Sequence, residues 1–363
     1  MTEQEAFVAF NLADRIGSAR VEELRLASGS VAAAWENCPN KVSRTGGEVE
    51  WKREFEKAKR YGVTILTPAD ADYPSSLREA PGHPLALYIK GNVKALSNPS
   101  IALIGTRRAT SYGLNQANKI AYDLAKSGWT IVSGLAMGID AESHRGALAA
   151  DGVTVGVIGS GLDEFYPLEN RDLAREMVKK GGAVVSEFPF GRKPDQTTFP
   201  IRNHVVAALA RGVVAVEAPV KSGTLITTSI AADLGRTVMA VPARVDNRMS
   251  GGCLSLIRDG AILVRHADDV MDAMGEFLPR TIRKDSEANR ATAPEHDVLQ
   301  PRFSVEESLV MLHIDEDGVS MDELATKTRL PIDRVNALAM ALRIKGFVKF
   351  LPGNRISLLT GRV

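Results

Sequence analysis

Residues 101–113, IALIGTRRATSYG, decide the fold. The apolar run Ile101 to Ile104 breaks into a polar loop bounded by Gly105 and Gly113, and helical spacing resumes at Leu114. Strand, glycine-bounded loop and helix in that order place backbone N–H groups and a helix dipole where an anion would sit. The spacing is neither GxGxxG nor GxxxxGK[ST], so an unmodified dinucleotide or P-loop nucleotide site is not expected and no cofactor is implied. Arg107 and Arg108 point instead to a phosphate met by guanidinium.

Outward from this stretch, short β-branched runs alternate with longer amphipathic ones, as in a parallel sheet covered by helices. The further strands expected are WTIVSG, VTVGVIGS, AVVSE, VVAVEA and TVMAVPA. Helices are expected near Leu114–Lys126, Ala141–Ala150, Asn170–Lys180, Asn203–Ala210 and Leu225–Leu234. The fold class is α/β, with a Rossmann-like doubly wound parallel sheet as core over residues 63–275. Ahead of it, helices at Ala6–Ile16, Val21–Leu26 and Glu48–Lys59 make residues 1–62 a small helical domain of helix-hairpin-helix type. The pairs Gly17-Ser18 and Gly29-Ser30 fit phosphate-contacting turns, but ordinary caps between helices are the favoured reading. Residues 276–303 are rich in charge and proline and read as a flexible linker. Residues 304–363 read as three helices and a hairpin about Pro352-Gly353-Asn354, a winged helix.

The whole chain of 363 residues carries a formal charge of only +1, and acidic and basic residues balance in every segment. Any nucleic-acid site must therefore be local. Cys38 and Cys253 are too few for a disulfide framework or a cysteine-based zinc site, and no basic n-region or long apolar run is present. A soluble, cytoplasmic protein without a metal or a membrane segment is expected.

Two further clusters repeat the logic of the first. In TTFPIRNHVVAALA a helix is read as opening with Arg202, Asn203 and His204, where donors are unpaired and anions favoured. Phe199 just ahead of it suits either a base-stacking platform or core packing. His204 lacks a second ligand at metal spacing. In VEAPVKSGTLITTSIAADLG the turn holds Lys221, Ser222, Gly223 and Thr224, with Lys221 as a point charge for phosphate. Arg192, Lys193, Arg244 and Arg248 share these strand-end loops with Glu187, Asp195, Glu217 and Asp246. Asp140 and His144, four apart on one helix face, have the spacing of an acid/base pair, but an Asp near the helix start and a His bonded within the fold is the favoured reading.

GTRRATSYG, IVSGLAMGIDAESHRGAL, GSGLDEFYPLEN, SEFPFGRKPDQTTFPIRN, VEAPVKSGTLITTSIAADLGR and LIRDGAILV, in this order, resemble the DNA-processing protein family DprA, also called Smf. The resemblance is sharpest from Val63 to Val264. It implies a non-enzymatic protein that binds single-stranded DNA, self-associates as a homodimer and helps load the RecA recombinase in natural transformation. By motif position it implies Arg107, Arg202 and Lys221 as phosphate contacts and Ser111, Gly134 and Ser222 as supporting donors. Gly105, Thr106, Asn203 and Gly223 complete the expected set. His204 stands where the family usually has a second arginine, and Ala243 where it usually has glycine. The rival class is a Rossmann-like nucleoside-monophosphate phosphoribohydrolase with a PGGxGTxxE turn; here Ile226, Thr227 and Thr228 occupy the region of its glutamate. The C-terminal unit, with Arg334, Arg343 and Lys345 against as many acids as bases and a small ridge of Ala337, Ala339 and Ala341, is expected to bind a protein partner rather than read DNA sequence.

Overall fold

The structure is a computed structural model that describes residues 1–13, 16–38, 49–275, 305–314, 318–328, 330–344, 348–351 and 355–358. The expected linker, Lys345 and the Pro352–Asn354 turn lie outside the described residues. Contacts divide the chain into two units, Met1–Arg283 and Lys284–Val363.

In the first unit the six expected strands all form: β3 (Ser100–Gly105), β4 (Thr130–Ser133), β5 (Thr154–Val157), β6 (Ala183–Ser186), β7 (Gly212–Glu217) and β8 (Thr237–Ala240). Three more join them: β1 (Thr64–Leu66), β2 (Leu87–Gly91) and β9 (Ile262–Leu263). The sheet runs β1-β2-β6-β5-β4-β3-β7-β8-β9. β3 to β9 are parallel, whereas β2 pairs antiparallel with β6 and β1 with β2. After β3 the chain winds one way to β6 and then returns to lay β7 on the other side of β3. The strand order therefore reverses between β3 and β7, which is where open α/β sheets take their ligands.

Both faces of the sheet are covered, and β3 shows why its strand is apolar throughout. Ala102 and Ile104 pack with α9 (Thr198–Leu209) and α10 (Gly223–Asp233) on one face. Ile101 and Leu103 pack on the other with α6 (Ser111–Lys126), α7 (Ile139–Ala149) and α12 (Ala267–Ala273). Alternation of side chains along a strand sends every second residue to each face.

The N-terminal helices are α1 (Glu3–Leu12), α2 (Ser18–Ser28), α3 (Val31–Glu36) and α4 (Trp51–Tyr61). Thr2 and Glu5 form a reciprocal cap on α1, and Phe10 meets Trp35 edge to face at 5.0 Å. Gly17 precedes α2 and Gly29 ends it in the left-handed region at φ 87°, so both Gly-Ser pairs cap and connect helices. These helices share a core with the antiparallel edge of the sheet: Val8 and Ala58 pack with Ile65, Tyr88 and Phe190. Gln4 Nε2 donates to the Ile65 carbonyl at 3.1 Å, and the buried Glu54 carboxylate accepts from Phe190 N at 3.2 Å. Residues 1–62 thus pack as part of the same compact unit as the sheet.

The second unit holds helices Val305–Met311, Met321–Thr328 and Ile332–Ile344 with strands Val319–Ser320, Val348–Leu351 and Arg355–Leu358 in an antiparallel three-stranded sheet. Ala339 is buried in this unit's own core beside Leu338 and Leu342, while Ala337 is exposed. The expected alanine ridge therefore does not form, because residues two apart on a helix point to different faces.

The tightest helix contact joins α6 and α7 at Gly146. A Cβ there would lie 2.3 Å from the Asn118 carbonyl oxygen and 3.0 Å from the Ala121 Cβ. Gly146→Ala must push the helices apart and should cost about 1–3 kcal/mol, read as a lower urea midpoint with an unchanged slope.

Candidate functional site

A cleft of about 390 Å³ lies at the carboxyl ends of β3 and β7. The loop after β3 contributes Gly105, Thr106 and Arg107, α9 contributes Phe199, Arg202 and Asn203, and the turn into α10 contributes Lys221, Ser222 and Gly223. Gly134 borders an adjoining niche of about 40 Å³ together with Arg107, Phe199 and Arg202. Ser111 is the first residue of α6, exposed and outside the cleft lining.

The head of α6 does not await an external anion as expected, because the chain supplies one. The buried Glu217 carboxylate accepts from Thr110 N and from Thr110 Oγ1, both at 2.7 Å. The Glu217 carbonyl also accepts from Thr106 N at 2.8 Å. Gly113 leaves room for this carboxylate, since a Cβ there would lie 2.5 Å from Glu217 Oε2.

The head of α9 is likewise satisfied internally. Asp195 accepts from Thr197 N at 2.8 Å and Thr198 N at 3.0 Å. The helix begins at Thr198 rather than Asn203. Proline is tolerated in a first turn, where N–H groups have no intrahelical partner, so Pro200 does not delay the helix.

Arg202 accordingly sits in the second turn of α9 and not at its start. It is 6% exposed, with Nη1 3.7 Å from Asp140 Oδ2 and 3.5 Å from the Val157 carbonyl. Gly134 makes space for it, as a Cβ there would fall 1.2 Å from Nη1. Burial raises the Asp140 pKa against the opposing pull of Arg202, and burial lowers that of Arg202. His204 is half-buried, meets the Pro81 backbone and does not line the cleft; burial lowers its pKa.

The head of α10 differs from the other two. Ser222 takes the N-cap position with extended backbone but makes no capping bond, and its Oγ is buried without a hydrogen-bond partner among the described residues. Exposed Lys221 and Gly223 flank it. Across the cleft, exposed Arg107 stacks on Phe199 with Cζ 4.7 Å from the ring centroid. Among the described residues neither Arg107 nor Lys221 has an ion-pair partner, whereas Arg192 is held by Asp195 and Arg244 by Asp246. Phe199 is half-buried and belongs to none of the apolar clusters; exposed Tyr166 lies 6.4 Å from it. Tyr166 and Met137, which sequence reading passes over, border the niche, and Thr224 of the expected turn lines the cleft.

Asp140 and His144 do not form an acid/base pair. Asp140 turns to Arg202, and fully buried His144 has Nδ1 2.6 Å from Thr154 Oγ1. Thr154 gives its own proton to the Ile131 carbonyl at 2.8 Å, so Nδ1 carries the imidazole hydrogen.

The family model of DNA recombination-mediator protein A matches residues 64–275. Protein Smf of Synechocystis is 35% identical, with 83% of this chain and 81% of that protein aligned. Protein Smf of Escherichia coli is 32% identical over 81% of this chain and 77% of that protein. Among solved structures, DNA processing protein A of Streptococcus pneumoniae superposes with a TM-score of 0.64 at 32% identity, over 75% of this chain and 98% of that one. DNA processing protein A of Helicobacter pylori, a protein with a single-stranded DNA binding mode, gives 0.54 at 28% identity, over 60% and 97%.

Burial, reinforced by the charges of Arg202 and Arg145, holds His144 down at about 3. An unfolded histidine titrates near 6.5, so between those values the unfolded chain binds a proton that the fold refuses. The stability is complete above the unfolded value and is lost as pH falls towards the folded one. Between pH 7 and pH 5 this group should remove about 2 kcal/mol, and His144→Gln should flatten that part of the urea-midpoint profile.

Proposed function

We infer what this chain does from the premise that it belongs to the DNA recombination-mediator protein A family. Within DNA processing for recombination, its role is to hold single-stranded DNA by the phosphate backbone in the cleft at the β3–β7 switch. The observation that carries this reading is the exposed pair Arg107 and Lys221, without an ion-pair partner among the described residues, beside the head of α10, whose N-cap Ser222 makes no side-chain capping bond. Such a site offers two charge-assisted donors and a helix dipole to a phosphate, and none of these reads a base. The single-stranded DNA binding mode of the Helicobacter pylori relative supports the choice of ligand.

Each residue then has a distinct task. Arg107 and Lys221 touch phosphate, with Thr106, Asn203, Ser222 and Gly223 as polar neighbours. Arg202 supplies positive potential from beneath, where low polarisability strengthens its field. Phe199, already carrying the Arg107 guanidinium, and Tyr166 offer ring faces to unstacked bases, which every base accepts. A duplex keeps its bases inward and is a poorer match. No metal or cofactor enters, and the protein acts as a binder in the cytoplasm, presenting the strand for RecA loading.

The chain also works as a homodimer, because one cleft with few cations holds a long strand weakly and two linked clefts raise effective concentration. Residues 304–363 act as a winged helix that docks a protein. Arg334 is tied to Glu306 at 2.6 Å and Arg343 stacks on Phe350 at 5.2 Å, so neither is spare for base edges.

Arg107→Ala and Lys221→Ala should each weaken binding to oligo-dT and to mixed-sequence strands by similar factors, roughly tenfold. Each should flatten the slope of log affinity against log salt by about 0.7. Unchanged affinity and slope, with free base released from AMP by the wild-type protein, would turn the reading to the phosphoribohydrolase class.

Light scattering of the full chain at micromolar concentration should give the mass of a dimer. A monomer that still binds short strands tightly would refute the linked-cleft reading.

A further inference from the structure

The cleft has a feature that phosphate binding at α10 does not use: the carboxylate at the head of α6. In doubly wound sheets the helix following the first strand at the reversal presents its N-terminus to the phosphate of a nucleotide. Here that strand is β3, the helix is α6, and the neighbour across the reversal is β7. Glu217, the last residue of β7, is 1% exposed and reaches across to this helix end.

Its carboxylate sits against Thr110, the residue that caps α6 by accepting from Gly113 N at 3.2 Å. One carboxylate oxygen takes a backbone N–H and the other a hydroxyl, both from Thr110 and both at 2.7 Å. The missing side chain at Gly113, where a Cβ would come within 2.5 Å of Oε2, leaves the hollow a bound oxygen needs. The loop backbone is fixed to the same residue through Thr106 N and the Glu217 carbonyl.

We propose that Glu217 is a specificity-determining residue: its carboxylate fills the nucleotide-phosphate seat at the head of α6, so free nucleotides are excluded there and a phosphodiester chain is directed to the head of α10. The second half of this statement rests on the single-stranded DNA reading above; the first half does not. A free nucleotide would have to displace a buried, doubly hydrogen-bonded carboxylate of its own charge sign. A polymer engaging Arg107 and Lys221 has no need to.

The test removes the plug and looks for what it excludes. Full-length wild-type protein and Glu217→Ala are titrated with AMP and with inorganic phosphate by calorimetry, without DNA. Glu217→Ala should bind AMP roughly tenfold more tightly than wild type, the scale of a favourable charge at a helix end. The gain should persist in Glu217→Ala with Lys221→Ala, which assigns it to α6 rather than α10. A carboxylate that only braces the loop would yield a less stable protein with no such gain. Equal AMP binding by wild type and Glu217→Ala, or a gain abolished by Lys221→Ala, overturns the proposal.

If Glu217→Ala is insoluble, it should become soluble and regain its melting temperature in acetate or phosphate, as the emptied seat takes an anion from solution. Failure of both anions to restore it overturns the proposal. Oligo-dT binding by the wild-type protein is scored separately. Its absence alongside the AMP gain removes the DNA reading and leaves Glu217 as the barrier, whereas DNA binding without the gain removes the barrier and leaves the DNA reading.

Discussion

A guanidinium buried beneath the cleft constrains everything around it. Arg202 is 6% exposed, and an isolated charge at such depth costs several kcal/mol unless it is met by opposite charge and by hydrogen-bond acceptors. Asp140 from α7 and the carbonyl of Val157 from β5 provide these, and Gly134 after β4 provides the room. Three stretches of the chain, Gly134 to Asp140, the end of β5 and α9, are thereby held in one arrangement under the floor of the cleft. The Arg202–Asp140 separation of 3.7 Å is that of a loose pair, so the arginine's charge is only partly spent internally.

Helix heads around the cleft show how the fold sorts internal from external anions. α6 ends on Glu217 and α9 on Asp195, each a carboxylate from the chain itself. At α10 the corresponding place holds Ser222, whose hydroxyl makes no bond among the described residues. The basic side chains follow the same division. Arg192 and Arg244 lie in strand-end loops and are neutralised by carboxylates that stand three and two residues away in sequence, while Arg107 and Lys221 have no ion-pair partner among the described residues.

The alternation of apolar strands and amphipathic helices made the parallel sheet legible, since each central strand is long enough to show that its residues are buried on both faces. β1 and β9 were not legible: three and two residues carry no periodicity, and antiparallel pairing of β2 with β6 at the edge leaves no mark on the sequence. Loop chemistry in the sequence singled out Gly105, Thr106, Arg107, Asn203, Lys221 and Gly223, and the fold brings them to the lining of one cleft. The helix start read at Arg202 falls at Thr198, so Arg202 lies in the second turn of α9 while still lining the cleft, and Ser111, first in α6, lies outside that lining. Glu217 escaped notice as a cap because its partner Thr110 lies 107 residues away.

Near-neutrality and polyanion binding are compatible once pairing is counted. The formal charge of +1 averages over many surface arginines already tied to carboxylates, such as Arg175 with Asp172 and Arg265 with Asp269. Exposed pairs of this kind leave little net field beyond a Debye length of roughly 8–10 Å. Arg107 and Lys221, which have no ion-pair partner among the described residues, both line one cleft, so a locally positive site is compatible with a near-neutral chain.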